Sequence, residues 1–128
     1  MNGTVPFIAI VDDEEPIRRA LKRLLRAARL DAEGYATAQA FLDDAASRRP
    51  DCVLLDLHMP GMSGQEILAR VRDMDGHPPV VIITGHDTRE TREQCLAAGA
   101  AAYLHKPLDG PLLLNAITAA LGRSAARR

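Results

Sequence analysis

The segment Cys52-Val53-Leu54-Leu55-Asp56 places four consecutive apolar side chains directly before a carboxylate. A short apolar run without polar alternation is typical of a strand that is covered on both faces, as in a parallel sheet. The loop-forming sequence Met59-Pro60-Gly61-Met62-Ser63-Gly64 follows shortly after it. Residues 52–64 therefore predict a buried strand that ends at an acidic residue and opens into a loop.

Four other segments of the chain are strand candidates. Three are mainly apolar and one is weaker, as expected near the edge of a sheet: Phe7–Val11, Val80–Ile83, Ala101–His105 and, as the weak candidate, Asp31–Tyr35. The segments between the strands carry apolar residues at helical spacing, most clearly after Pro16, which the first turn of a helix tolerates. Strand and helix thus alternate five times, which predicts a parallel sheet with helices on both faces.

Polar residues and glycines predict where several helices begin and end. The predicted boundaries are a Thr37 N-cap, a Ser63–Glu66 capping box, an Asp87–Glu90 pair with the same spacing, and helix ends at Gly99 and Gly122. We therefore expect residues 122–128 to form a flexible tail. The helix between Thr88 and Ala98 is unusually charged, which indicates either a solvated face or a partner surface.

The composition is that of one ordinary domain, which we expect to span residues 1–128 with a core over 7–121. Hydrophobic residues make up 47% of the chain, and the formal net charge of −1 does not suggest broad binding to nucleic acid or acidic membranes. Cys52 and Cys95 lie among apolar residues without metal-site spacing, so we expect buried thiols and no disulfide. No apolar run reaches membrane-spanning length and no signal peptide pattern is present, which favours the cytoplasm.

Chemically capable side chains lie where four of the five predicted strands end. The first strand ends in Asp12-Asp13, the third in Asp56, the fourth in Thr84 and the fifth in Lys106. The carboxyl ends of parallel strands share one edge of the sheet, where open α/β proteins bind ligands. Converging carboxylates repel one another and favour a hard divalent cation such as Mg²⁺, which can also bind a phosphoryl oxygen. One carboxylate could then attack phosphorus and form an acyl phosphate.

Each of these residues alone has an ordinary structural explanation. An aspartate before a helix is a common cap, an aspartate before a Pro-Gly loop is a common turn residue, and an isolated lysine is usually a surface residue. Their joint placement at successive strand ends is what favours a functional site. The histidines at positions 77, 86 and 105 show no metal-ligand spacing and are assigned no site.

The motifs at these strand ends resemble those of the receiver domains of bacterial response regulators. The similarity extends from Phe7 to Leu121. Its motifs are Val11-Asp12-Asp13-Glu14, Leu54-Leu55-Asp56-Leu57-His58-Met59-Pro60-Gly61-Met62-Ser63-Gly64, Ile83-Thr84-Gly85 and Tyr103-Leu104-His105-Lys106-Pro107. The resemblance implies an α/β fold of the flavodoxin-like receiver type, with five parallel strands in the order 2-1-3-4-5 and five flanking helices.

The resemblance also implies a phosphoacceptor and a metal site. Asp56 matches the phosphoacceptor of the family, and Asp13 matches the acid that binds Mg²⁺ (or Mn²⁺) directly. Asp12 matches its neighbour, which often acts through water, and the backbone carbonyl of His58 would complete the site. The His58 side chain would face the approach of the attacking water and alter the phosphoryl lifetime, unless only its carbonyl takes part.

Three further positions match residues that respond to phosphorylation in this family. Thr84 would bring its hydroxyl toward the phosphoryl group, and Tyr103 would turn inward on activation. Lys106 would supply a positive charge at the site, with a cis peptide bond to Pro107.

The function implied by the resemblance is phosphorylation by a histidine kinase or a phosphotransfer protein, followed by control of a downstream protein. The chain would be a phosphoacceptor rather than an enzyme, although it could catalyse its own phosphorylation and dephosphorylation. We expect a monomer or weak dimer, with no membrane binding and no direct nucleic acid binding by this domain. For the output we expect a stand-alone receiver. The alternative is the receiver part of a longer LuxR-type DNA-binding regulator, since residues 50–64 and 80–86 are similar to receivers that precede LuxR-type domains.

Three other functions fit the sequence less well. Aspartyl-phosphate hydrolases also use an aspartate at a strand end, but they place a second aspartate two residues later, where this chain has His58. A nucleotide-binding switch would need a GxxxxGK[ST] loop, which the sequence lacks. A receiver that binds partners without phosphorylation would not need the full set of matching site residues.

Overall fold

The computed structural model describes residues 5–126, and the side chains of residues 5–122. Five strands and five helices alternate along this part of the chain, as predicted. In chain order they are β1 Phe7–Val11, α1 Glu15–Ala27, β2 Asp31–Tyr35, α2 Ala38–Ala45, β3 Cys52–Asp56, α3 Gly64–Arg72, β4 Val80–Thr84, α4 Arg89–Ala97, β5 Ala102–His105 and α5 Gly110–Ala126.

The strands form one parallel sheet in the order β2-β1-β3-β4-β5, which confirms the predicted topology. The register aligns the ends of the strands: Val11 pairs with Leu55, Asp56 pairs with Ile83, and Thr84 pairs with His105. The polar residues that end these strands, or directly follow them, therefore lie along one edge of the sheet.

The core consists of two layers, one on each face of the sheet. Successive side chains of a strand point to opposite faces, so Ala9 and Val11 join one layer while Ile8 and Ile10 join the other. The first layer lies against α2, α3 and α4 and contains Phe41 and Ile67. The second lies against α1 and α5 and holds their buried residues, Leu21, Leu25, Leu113, Ile117 and Ala120. Every residue of β1, β3 and β4 is buried, which explains why these strands lack polar alternation.

The predicted caps of the second and third helices are present. The Thr37 side chain accepts a hydrogen bond of 3.0 Å from the Ala40 N–H at the start of α2. Ser63 and Glu66 form the full capping box of α3, because each side chain bonds the backbone N–H of the other at 3.1 Å. The positive φ of 105° at Gly99 agrees with the predicted end of α4.

Two predicted helix boundaries were wrong. Helix α4 is capped by Thr88, whose side chain accepts from the Thr91 N–H at 3.1 Å, and not by Asp87. Helix α5 continues through Gly122 to Ala126, because glycine costs a helix interior only about 1 kcal/mol and alanine is the strongest helix former. Of the predicted flexible tail, residues 122–126 are therefore helical, and residues 127–128 lie outside the described residues.

Two predictions about the chain as a whole can be compared with the described residues. Cys52 and Cys95 are buried free thiols, as predicted. None of the helices within residues 5–126 is both long and apolar enough to span a membrane.

Candidate functional site

Four carboxylates meet where β1 and β3 end. Oxygen atoms of Asp12, Asp13, Glu14 and Asp56 all lie within 4.8 Å of one another. Asp12 and Asp56 are buried, with 0% and 4% of their surface exposed, whereas Asp13 and Glu14 are exposed. A set made only of carboxylate oxygens fits a hard divalent cation, because Mg²⁺ prefers such donors together with water. We refer to these four residues as the acidic pocket.

Glu14 was not predicted as a site residue. The sequence has four consecutive acids after the first strand, residues 12–15, but only Asp12 and Asp13 matched positions with known roles. Glu14 precedes the first residue of α1, and its carboxylate faces the same pocket as those of the two aspartates. The run of four acids was the available signal, and it does not by itself distinguish Glu14 from Glu15.

The environment of Asp56 opposes its ionisation. Burial raises the pKa of Asp56 above its usual value, and the nearby charge of Asp12 raises it further. A hydrogen bond of 3.2 Å from the His58 N–H to Asp56 Oδ1, and the positive charge of Lys106, act in the opposite direction. A divalent cation in the pocket would offset the repulsion and favour the charged carboxylate.

The positively charged side chain of Lys106 lies in the acidic pocket. Its Nζ lies 3.0 Å from Asp12 Oδ2, 3.1 Å from Glu14 Oε1 and 3.6 Å from Asp56 Oδ2. Burial lowers the pKa of Lys106, but the hydrogen bonds to Asp12 and Glu14 outweigh burial and leave the pKa above its usual value. The lysine follows β5 and donates its backbone N–H to the Thr84 carbonyl, and its bond to Pro107 is cis, as predicted.

Thr84 and Tyr103 lie on neighbouring strands, β4 and β5. The Thr84 side chain is fully buried, and its Oγ1 accepts a hydrogen bond of 3.0 Å from the His86 N–H. Tyr103 is turned inward and is only 6% exposed. Within the described residues its hydroxyl has no hydrogen-bond partner, although burial and the nearby Asp87 carboxylate raise its pKa. The Arg92 guanidinium lies 5.8 Å from the centre of the tyrosine ring.

His58 and His86 form a contact that the sequence did not reveal. Both side chains are exposed, and their ring centres lie 4.9 Å apart at an interplanar angle of 82°. Each histidine comes two residues after the polar residue that ends its strand, and β3 and β4 are neighbours. His86 has no metal-ligand spacing in the sequence and is still assigned no site, but its ring lies beside that of His58.

The structure brings most of the predicted site residues together. Asp12, Asp13, Asp56 and Lys106 share one pocket, and Thr84 ends the strand next to Asp56. The use of the His58 carbonyl as a metal ligand stays a prediction. No other cluster of at least three potential metal ligands occurs in the part of the chain that the structure describes.

Comparison with protein families gives a match over most of the chain. The family model described as response regulator receiver domain matches residues 8–118. Among curated proteins, "Transcriptional regulatory protein FixJ" of Azorhizobium caulinodans is 34% identical over 118 residues, which cover 92% of this chain and 56% of that protein. "Response regulator protein TodT" of Pseudomonas putida is 32% identical over 121 residues, covering 94% of this chain and 53% of that protein. The chain thus spans about half the length of these curated relatives.

Solved structures show the same architecture. A response regulator receiver protein from Burkholderia phymatum is 43% identical, with a TM-score of 0.82, and the match covers 91% of this chain and 95% of that one. A CheY-like receiver domain protein from Methanospirillum hungatei is 28% identical, with a TM-score of 0.89, and the match covers 98% of this chain and all of that one (100%).

Proposed function

The chain belongs to the response regulator receiver domain family, and on that premise we propose that Asp56 accepts a phosphoryl group in a Mg²⁺- or Mn²⁺-dependent reaction. The donor is a histidine kinase or a phosphotransfer protein. The observation that carries the proposal is the convergence of four carboxylates and Lys106 on one pocket, with Asp56 at its buried end.

The acidic pocket supplies the ligands for the cation. Asp13 and Asp56 would bind it directly together with the His58 carbonyl, and Asp12 would act through water. Glu14 is a further candidate, since its carboxylate belongs to the same cluster. When bound, the cation neutralises charge on the phosphoryl oxygens as the transfer proceeds.

Asp56 is the nucleophile of the transfer. One of its carboxylate oxygens forms a bond to phosphorus while the bond from phosphorus to the donor's imidazole nitrogen breaks, and the imidazole leaves with the electron pair. The loss of negative charge from the donor is matched by its gain on the receiver. Lys106 is already 3.6 Å from Asp56 Oδ2, close enough to pair with the new phosphoryl group after releasing Glu14.

Phosphorylation changes the face formed by α4, β5 and α5. The Thr84 hydroxyl can donate to a phosphoryl oxygen, whereas in the structure its oxygen accepts from the His86 N–H. The inward position of Tyr103 beneath Arg92 is the conformation that we assign to the activated state. A bistable element of this kind converts a local change of charge into a different surface for a protein partner.

The domain is a signalling phosphoacceptor, not an enzyme that turns over a substrate, and we assign to it at most the catalysis of its own phosphorylation and dephosphorylation. We place it in the cytoplasm, as a monomer or weak dimer that contacts proteins and neither membranes nor nucleic acid. Its output is either that of a stand-alone receiver or that of the receiver part of a longer DNA-binding regulator. The name of the FixJ relative, a transcriptional regulatory protein, and the greater length of both the FixJ and the TodT relatives support the second.

Incubation with a small phosphodonor, acetyl phosphate or phosphoramidate, tests the proposed chemistry. The intact mass should increase by one phosphoryl group when Mg²⁺ is present, and should not change when Mg²⁺ is chelated. Asp56→Asn should remain unmodified under both conditions. A Mg²⁺-independent gain, or the same gain in Asp56→Asn, would refute the proposed site. The intact mass of the protein purified from its native cells distinguishes the outputs, because a stand-alone receiver of this sequence has a mass of 13.9 kDa.

A further inference from the structure

The Arg18 side chain connects α1 to the backbone of the acidic pocket. Its Nη1 donates a hydrogen bond of 2.7 Å to the backbone carbonyl of Asp12. Its aliphatic part crosses the edge strand β2 at Gly34, where a Cβ atom would lie 3.1 Å from Arg18 Cδ, 3.4 Å from Cβ and 3.6 Å from Cγ. The strand therefore has a glycine where the arginine passes over it on the way to the pocket.

This hydrogen bond fixes the peptide unit from which Asp13 projects. The peptide plane between residues 12 and 13 is rigid, so a bond to the Asp12 carbonyl restricts the orientation of the Asp13 backbone as well. The Asp12 N–H is held on the other side by the Tyr35 carbonyl at 3.1 Å. The two side-chain oxygens of Asp12 accept from the Glu14 N–H at 2.9 Å and from Lys106 Nζ at 3.0 Å.

We propose that Arg18 is a positioning residue that orients the Asp12-Asp13 peptide for binding of the divalent cation. The inference rests on the proposed metal site, since it assigns a supporting role to a residue that does not touch the metal. Groups that orient metal ligands through hydrogen bonds commonly change metal affinity 10- to 100-fold when removed, and about 10-fold is expected here.

The positive charge of Arg18 allows a positioning role to be distinguished from a purely electrostatic effect. A positive side chain near a cation site repels the cation, so on electrostatic grounds alone its removal should strengthen Mg²⁺ binding. Loss of orientation should weaken Mg²⁺ binding. The two effects have opposite signs, and a positioning role is demonstrated only if affinity falls although a repelling charge has been removed.

The test is a calorimetric titration of the full chain with Mg²⁺, using Arg18→Met and the matched control Arg23→Met. Both substitutions remove one positive charge from α1, but the Arg23 side chain is exposed and makes no hydrogen bond or ion pair within residues 5–126. We expect the dissociation constant for Mg²⁺ to rise about 10-fold in Arg18→Met and to stay unchanged or fall slightly in Arg23→Met. Arg18→Lys, which keeps a charged donor, should recover part of the loss.

A second substitution tests the same role without changing Arg18. Gly34→Val should displace the arginine stem, because the added atoms occupy the space where it crosses β2, and it should weaken Mg²⁺ binding while leaving all charges in place. Thermal unfolding of each variant in the absence of Mg²⁺ confirms that the fold is retained.

Two results would overturn the proposal, and they are distinguishable. If the unsubstituted chain binds Mg²⁺ and Arg18→Met binds it equally or more tightly, Arg18 has no positioning role and the metal site stands. If the unsubstituted chain itself does not bind Mg²⁺, the proposed metal site fails and the role of Arg18 fails with it.

Discussion

Replacement of Asp56 by asparagine should stabilise the protein in the absence of divalent cations. The Asp12 and Asp56 carboxylates lie within 4.8 Å of each other, which corresponds to a repulsion of at least about 3.5 kcal/mol at an effective dielectric constant of about 20. The attraction between Asp56 and Lys106 at 3.6 Å is about 4.6 kcal/mol on the same scale. The repulsion and the attraction nearly cancel, so burial and the exposed acids Asp13 and Glu14 decide whether the charge of Asp56 stabilises or destabilises the fold. The raised pKa of Asp56 agrees with a net destabilisation by its charge.

The expected gain is about 1–2 kcal/mol in the free energy of unfolding, because the amide keeps the shape of the side chain and removes its charge. For a domain of 128 residues this corresponds to an increase of about 3–8 °C in Tm. Thermal unfolding followed by circular dichroism in EDTA measures the difference. Asp75→Asn, a substitution at an exposed acid remote from the pocket, is the matched control and should leave Tm unchanged.

Saturating Mg²⁺ should reverse the comparison. Binding to the folded state stabilises the unsubstituted protein according to its affinity for the cation, whereas Asp56→Asn has lost a charged ligand and should gain less. The reasoning would be refuted if Asp56→Asn unfolded at the same or a lower temperature than the unsubstituted protein in EDTA.

Three other measurements test the acidic pocket and the cap of α3. Because the pKa of Asp56 is raised in the folded state, the metal-free protein should lose stability as pH rises from the ordinary value of 3.8 through the raised pKa. Urea titrations across this range should show that decline in the free energy of unfolding for the unsubstituted protein, and a smaller decline for Asp56→Asn. Lys106→Met should lower Tm in EDTA by leaving Asp12 and Asp56 without their cation, and should slow phosphorylation by acetyl phosphate; a raised Tm would contradict the ion pairs described above. Ser63→Ala should cost about 1 kcal/mol of stability through loss of the α3 capping box, with phosphorylation unchanged, and an equal midpoint in urea would show that the cap contributes nothing.

The alternation of strands and helices was predictable because its determinants are local, whereas the strand order 2-1-3-4-5 was implied by the resemblance to receiver domains. Each central strand is an apolar run, each run is followed by helical periodicity, and a right-handed parallel arrangement then leaves few alternatives. The site was predictable for the same reason: Asp56 and Thr84 end neighbouring strands, and the carboxyl ends of parallel strands share one edge. The sequence therefore predicted which residues lie close together wherever those residues end neighbouring strands.

The predictions failed where neighbouring residues compete for one role. Asp87 and Thr88 are both good N-caps, and the extended backbone at Thr88 decided between them. Glu14 could not be separated from an ordinary helix-start acid, because its place in the pocket depends on how the chain turns into α1. A glycine such as Gly122 permits a helix to end without requiring it.

Contacts between loops could not be predicted from the sequence. His58 and His86 are brought together by the pairing of β3 with β4, and nothing in their spacing identifies the contact. The path of Arg18 over Gly34 likewise depends on the position of α1 above the sheet edge. The burial of Tyr103, which is only 6% exposed, depends on how the elements around β5 pack, and periodicity does not encode that packing.

The most direct test of the central claim is to locate the phosphoryl group chemically. After incubation with phosphoramidate and Mg²⁺, borohydride reduces an aspartyl phosphate to the corresponding alcohol, and peptide mass spectrometry identifies the residue. We predict that the reduced residue is found at position 56 alone, and only when Mg²⁺ was present during phosphorylation. Reduction at Asp12 or Asp13 instead, or a stable phosphoryl group that resists borohydride, would contradict the assignment of Asp56 as the phosphoacceptor.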